Sequence, residues 1–277
     1  TIDQLKRYEP LLQPLPIAPL PALERIDALE AQLLGEFPWA EGAIRQILGD
    51  LRSRRLFGST ELGLSPTLLV GPPGSGKSRL VRRLAEELHL PFHAIACGGL
   101  TDAKALLGTA RGWSSAQASP VLTLLLTRLS ASALVLFDEI DKTSEDSANG
   151  SLRDAALGLL EPENARAWID PFLQAPCDLT KLVFMATANR LGPLPSPLLS
   201  RLRILHVPAP SGVHAKAIVI GATHDIAREW GLPAEALPVL SIDLDPAREI
   251  SARAIKAMVR SELGAWALAR RQPHQLH

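Results

Sequence analysis

The chain has 277 residues, and its 29 Lys plus Arg are matched by 29 Asp plus Glu. That length allows one large or two modest domains with a substantial core, and zero net charge gives no overall field toward nucleic acid or an anionic membrane. No apolar run reaches the roughly 18 residues of a membrane-spanning helix, and no basic segment with an apolar core opens the sequence, so a soluble cytoplasmic protein is expected.

In chain order, residues 1–21 alternate Leu with Pro at positions 10, 14, 16, 19 and 21, which removes backbone donors and predicts an extended arm or linker. From Ala22 to Leu34, Leu23, Ile26, Leu29 and Leu33 recur at helical spacing, and a second helix is expected from about Trp39 to Arg55. Short apolar strands then alternate with helical segments: Thr67 to Val70, Phe92 to Cys97, Leu134 to Phe137, Leu182 to Ala188 and Ile204 to Val207. Continuous apolar strands alternating with helices predict an α/β fold with a parallel sheet of five strands flanked by helices. Beyond Pro208 the strand pattern stops. Helical periodicity covers about Val213 to Trp230, Ala234 to Leu240 and Pro246 to Arg271, with Gly231 suited to a C-terminal cap and Pro233 to a first turn. The expected division is an arm and helix (1–35), an α/β nucleotide-binding domain (36–208) and a small all-α lid domain (209–277). Cys97 and Cys177 lie in apolar stretches and are expected as buried thiols in a reducing compartment rather than as a disulfide.

Between the strand ending at Val70 and the helix of Arg79 to Leu88 stands Gly71-Pro72-Pro73-Gly74-Ser75-Gly76-Lys77-Ser78. The glycines let successive backbone N–H groups curl around one concavity, and the helix N-terminus adds positive potential for phosphate. Lys77 is expected to reach the β- and γ-phosphates of ATP, and the Ser78 hydroxyl to ligate Mg2+. Residues 71–78 with Arg79 form the expected ATP-binding set.

A second motif is the apolar run Leu134 to Phe137 ending in Asp138-Glu139-Ile140-Asp141. Carboxylates at the C-terminal edge of an open α/β sheet stand where such sheets bind ligands. Asp138 is expected to hold Mg2+ through water and Glu139 to orient and polarise the attacking water. Helix N-capping is the alternative reading for these acids, and Asp141 fits it best.

With both motifs present, the sequence resembles the AAA+ ATPases, and within them the ATPase module of the Lon proteases, from about Glu36 to Arg271. The resemblance is carried by the two motifs and by Glu161-Pro162-Glu163-Asn164, Ala186-Thr187-Ala188-Asn189 and Pro197-Leu198-Leu199-Ser200-Arg201-Leu202. It implies that Asn189 is sensor 1, which positions the lytic water. It implies that Arg201 is an arginine finger completing the ATP site of a neighbouring subunit, with Arg203 as a nearby competitor for that role. Arg253, in Arg248-Glu249-Ile250-Ser251-Ala252-Arg253, matches the sensor 2 position that couples the lid to nucleotide; an Arg on a helix also commonly faces solvent. Residues around Phe37 to Ala40 would line the adenine pocket. Trp113 falls at the aromatic pore-loop position used to grip polypeptide, although Ser114 replaces the apolar residue that follows in the family, and packing of Trp113 under its loop is the other reading. Ser78 and Ser200 stand where the family usually has Thr and Asp.

The family's proteolytic domain follows the lid, and this sequence ends at His277, so the expectation is a Lon-like ATPase with no protease activity in this chain, whether a stand-alone protein or an excised module. The resemblance further implies a homo-oligomeric ring, with six subunits as the family expectation, that remodels or translocates a protein client. A slow ATP-dependent switch or assembly scaffold is the alternative from another class. A DNA-associated ATPase is a third reading, against which the neutral charge weighs.

Overall fold

The computed structural model describes residues 5–98, 103–113, 115–143, 152–242, 245–246 and 248–270. Ser114 and the last residues, from Arg271, on which parts of the sequence reading fall, lie outside that set.

Two helices precede the sheet, α1 (Leu23–Glu36) and α2 (Glu41–Leu56), joined through a 3-10 turn at Pro38–Ala40. Each buries an apolar stripe: Ile26, Leu29 and Leu33 on α1, where Leu23 of the expected set is only partly buried, and Ala43, Ile44, Ile47, Leu48 and Leu51 on α2. The chain then runs through β1 (Thr67–Val70), α3 (Lys77–Glu87), β2 (Phe92–Ala96), α4 (Lys104–Leu107), α5 (Pro120–Arg128) and β3 (Leu134–Asp138). It continues with α6 (Leu152–Leu160), α7 (Pro162–Arg166), a hairpin of β4 (Trp168–Ile169) and β5 (Pro176–Cys177), then β6 (Val183–Ala188), α8 (Ser196–Leu199) and β7 (Arg203–His206). Two long helices follow, α9 (Ala215–Glu229) and α10 (Ala252–Arg270).

The main sheet has five strands in the order β2-β3-β6-β1-β7, every pair parallel. Successive residues of a strand face opposite sides, so the apolar runs split between two cores. Leu69, Leu134, Leu136 and Met185 join α1, α2 and α3 on one face. Leu68, Val70, Val135, Phe137 and Phe184 join α5 and α6 on the other. Covering both faces is why the central strands β1, β3 and β6 are mostly apolar instead of alternating with polar residues, whereas the edge strands carry His93, Arg203 and His206. Register fixes the functional edge: Val70 lies opposite Ala188, and Phe137 opposite Ala186, so the loops after β1, β3 and β6 leave the sheet side by side.

All five predicted sheet strands are present within one residue at each end. Elsewhere the reading needs correction. The Pro-rich arm is not simply extended: Glu9–Leu12 form a 3-10 turn, Tyr8 packs against Phe172 with ring centroids 5.9 Å apart, and Leu20 is buried. The stretch expected as helix over Ala234 to Leu240 is only a 3-10 turn at Ala234–Ala236, because Pro238 removes a donor and keeps Leu237 extended. The last helix starts at Ala252 rather than Pro246, because Ser211 bridges Glu249 and the Ile250 N–H donates to the Pro210 carbonyl. The β4–β5 hairpin was unforeseen; its strands have two residues each, too few to show a period. Gly231 does end α9, at φ 68°, with the Leu232 N–H reaching back to the Ala227 carbonyl. Both cysteines are free; burial pushes Cys97 up to about 12 and Cys177 up to about 11. Among the described residues no helix is long and apolar enough to cross a membrane.

Candidate nucleotide site

The loop after β1 is shaped by positions where no larger residue fits. A Cβ on Gly71 would lie 1.9 Å from the Val207 carbonyl oxygen, and Gly74 and Gly76 adopt φ of 80° and 86°, which L side chains rarely take. Gly76 ends the loop and α3 begins at Lys77, so the first N–H groups of α3 have no helical carbonyl behind them. Trp39 closes the loop from outside, its Nε1–H donating to the Ser75 carbonyl at 2.8 Å.

Lys77 is held inside this curl. Its ammonium donates to the carbonyls of Gly71 (2.8 Å) and Pro72 (3.0 Å) and to Asn189 Oδ1 (3.1 Å). Burial holds its pKa below the ordinary lysine value, against the opposing pull of Asp141, Asp138 and Glu139. Three strand ends thus meet at one cation.

Asp138, at the end of β3, accepts 2.6 Å bonds on Oδ1 from both Ser78 Oγ and Thr187 Oγ1. Thr187 Oγ1 in turn accepts from the Glu139 N–H at 2.9 Å. Glu139 lies in the left-handed region, φ 57° and ψ 48°, and its carboxylate pairs with Lys142 at 2.8 Å. Asp141 Oδ2 accepts from the backbone N–H groups of Asn189 (3.0 Å) and Arg190 (3.2 Å), which fixes the turn carrying Asn189; its Oδ1 is buried without a hydrogen-bond partner.

A cleft of about 570 Å³ opens over these groups, bounded by Gly74, Lys77, Ser78, Glu139 and Asn189 on the sheet side and by Arg228, Ala252, Arg253 and Lys256 on the C-terminal helices. Seven cationic side chains line it (Lys77, Arg79, Arg82, Arg83, Arg228, Arg253, Lys256) against three carboxylates (Glu139, Asp225, Glu229). That balance suits a polyanion. The helical part meets the loop directly: the Ala252 N–H donates to the Gly74 carbonyl at 3.0 Å, and Arg79 Nε donates to Asp225 Oδ2 on α9 at 2.7 Å. Phe37 and Trp39 border a smaller recess of about 40 Å³ beside Gly76, Arg79 and Ala222. The Arg79 guanidinium lies 4.8 Å from the centroid of the Phe37 ring.

The fit of nucleotide and metal is testable on these observations. Glycines that admit no Cβ, an open helix N-terminus and a buried ammonium form a cradle for phosphate oxygens. A hydroxyl and a carboxylate in contact at Ser78 and Asp138 supply the few hard oxygen donors that Mg2+ accepts from protein. The residues present fit both.

The profile of the ATPase family associated with various cellular activities (AAA) matches residues 67–209, just over half of the chain. The chain belongs to the AAA family of ATPases. Over 139 residues, half of the chain, this AAA protein is 37% identical to the mitochondrial Lon protease homolog of Candida dubliniensis, 38% to the peroxisomal Lon protease homolog 2 of Zea mays and 36% to the Lon protease of Clostridioides difficile. The matches span 13%, 16% and 18% of those relatives' lengths. Among solved structures, a closed state of Hsp104 with ATPγS and FITC casein superposes with a TM-score of 0.59 and 20% identity over 74% of this chain and 39% of that chain. At that identity the likeness is one of fold.

Not every residue singled out from sequence reaches the AAA cleft. Glu139, Asn189 and Arg253 line it; Arg201 does not, and instead pairs with Glu161 on its own chain. Arg203 donates to the Gln46 carbonyl and to Thr67 Oγ1, each at 3.2 Å, at the N-terminal ends of β1 and β7, the opposite end of the sheet from the loop after β1. Trp113 is 71% exposed, so it does not pack under its loop. Sequence reasoning missed Thr187, Asp141 as the support of Asn189, and the link from Arg79 to Asp225. A hydroxyl inside the otherwise apolar run Val183–Ala188 was the available signal for Thr187; nothing local announces a partner 146 residues away.

Proposed function

We propose that this chain binds ATP with Mg2+ in the cleft, hydrolyses it between the subunits of a homo-oligomeric ring, and uses the cycle to move or remodel a protein client. The observation that carries the reading is the continuous set Ser78–Asp138–Thr187–Glu139 standing beside Lys77. It sets a metal-type oxygen pair next to a carboxylate held one residue further on. In this reading residues 36–208 form the nucleotide-binding domain, 209–277 the lid and 1–35 the arm and first helix, in a reducing compartment such as the cytoplasm.

Residues 71–79 bind the phosphates through backbone N–H groups, and Lys77 exchanges its loop carbonyls for phosphate oxygens. Ser78 and Asp138 would hold Mg2+, which would supply positive charge to offset the negative charge that develops on the phosphate during transfer. Glu139 orients the attacking water and polarises it as a base, and Asn189 Oδ1 or its amide fixes the far side of that water. Arg253 and Lys256 report phosphate to the lid through α10. The Arg201 guanidinium is supplied across the interface to the neighbour's phosphates, and Trp113, exposed at its loop tip, grips the client. The Lon relatives support the protein client; the ring of six follows from the family resemblance.

Turnover per subunit measured against protein concentration tests the reading. The rate should climb with concentration and fall at least about 1,000-fold in Arg201→Ala. Lys77→Ala should abolish binding of a fluorescent ATP analogue, while Glu139→Gln should keep binding and lose at least about 100-fold in turnover. A flat rate insensitive to Arg201 would refute shared sites. Client binding retained or strengthened in Glu139→Gln, with no loss of function, would favour the scaffold over the motor.

A further inference from the structure

Glu161 has no role in the chemistry above, yet it holds Arg201, a functional candidate that stands outside the cleft. It lies between α6 and α7 in extended backbone, φ −88° and ψ 119°. Its Oε1 accepts from Arg201 Nε at 2.8 Å and also from Arg201 Nη2. Arg201 Nη1 donates to the Pro197 carbonyl at 2.8 Å. A guanidinium carries five N–H groups; these bonds use three and leave two.

The side chains are 33% exposed at Arg201 and 36% at Glu161, but the backbone beneath them is anchored. Leu160, just before Glu161, and Leu202, just after Arg201, are buried in one core with Leu159, Leu194 and Leu198. A planar cation is therefore clamped along one edge on a rigid floor, with the remainder open to solvent. A half-exposed ion pair contributes little to stability and costs side-chain entropy. Pre-set orientation is a different gain: a guanidinium that must meet phosphate across an interface loses less freedom if its plane is already fixed.

We propose that Glu161 is the positioning residue of Arg201, holding the Nε–Nη2 edge so that the two remaining N–H groups meet the neighbouring subunit's triphosphate in a fixed orientation. This rests on the reading of Arg201 as a group acting in trans.

The test uses the full chain at concentrations where turnover per subunit has reached its plateau, with binding of a fluorescent ATP analogue measured in parallel. Glu161→Ala should lower kcat by about 10-fold, with KM, analogue affinity and thermal midpoint near wild type, since Glu161 is not among the cleft-lining residues. Glu161→Gln, which keeps an acceptor oxygen, should recover most of the loss. The double variant Glu161→Ala/Arg201→Ala should be no slower than Arg201→Ala, because the effect passes through Arg201. Wild-type turnover in Glu161→Ala beside a slow Arg201→Ala would overturn this proposal and leave the proposed function standing. A double variant slower than Arg201→Ala, with a lowered thermal midpoint, would make Glu161 a structural contact and overturn it as well. An unaffected Arg201→Ala would remove the trans reading itself, and this proposal with it.

Discussion

Glu139 carries the clearest local strain in the site. A non-glycine residue at φ 57° and ψ 48° costs on the order of 1–3 kcal/mol, and such cost persists only where surroundings impose it. Here the Glu139 N–H is taken by Thr187 and its carbonyl accepts from the Lys142 N–H at 2.9 Å, so the turn after β3 is pinned at both backbone groups while the carboxylate pairs with Lys142. Asp50 shows the opposite economy, a carboxylate whose surroundings favour its charge. Burial alone would raise its pKa, but the Ser65 N–H at 2.9 Å and Arg54 at 3.0 Å outweigh that and hold it below the ordinary carboxylate value. Because the folded value lies under the unfolded one, near 3.9, its contribution is fully present above about pH 4 and is lost as pH falls through the folded value. Asp50→Ala should therefore cost about 2 kcal/mol at neutral pH and much less in strong acid. Denaturant titrations at pH 7 and about pH 2 measure both; an equal cost at the two pH values would refute the account.

At the scale of elements, the parts that position the site are strands and the turns between them. Gly71 sits where β1 leaves the sheet, and a methyl group there would meet the Val207 carbonyl that follows β7, which is backbone and has no rotamer to change. Gly71→Ala should destabilise the chain by about 3 kcal/mol and weaken nucleotide binding together with it, read by thermal unfolding with and without ATP; an unchanged midpoint would show that the loop relaxes freely. The same elements were the legible ones. Apolar runs such as Thr67–Val70 and Leu134–Asp138 declare a strand buried on both faces, and a glycine-rich turn beside one carries the expectation of a phosphate site. What stayed hidden was long-range: Thr187 beneath Asp138, Asp141 beneath Asn189, and Glu161 against Arg201 join segments about 40 to 50 residues apart, and no periodicity encodes such pairs. The false helix over Ala234 to Leu240 has a different cause, since apolar spacing survived while Pro238 decided the backbone.

For the whole molecule, the arm before α1 is part of the body. The Ala131 N–H donates to the Pro16 carbonyl and the Ala18 N–H to Ser132 Oγ, while the Leu20 N–H and the Ala18 carbonyl pair with the Thr60 carbonyl and the Leu62 N–H. Removing residues 1–21 should cost about 2 kcal/mol after the entropy of ordering the arm is offset, lowering the melting temperature by about 5 °C. Nucleotide affinity should be unchanged, since no described residue of the arm lines the cleft or the recess beside it; calorimetry and analogue binding on the shortened chain check both.

One bond has a mechanical consequence. The Gly74 carbonyl, within the phosphate loop, is gripped by the first residue of α10, and that helix has 19 residues, about 28 Å of stiff rod at 1.5 Å per residue. A tilt of about 10° at the gripped end sweeps the far end through about 5 Å. On the proposed reading, sub-ångström adjustments around a bound triphosphate would thereby be geared up into displacements large enough for an adjoining subunit to feel.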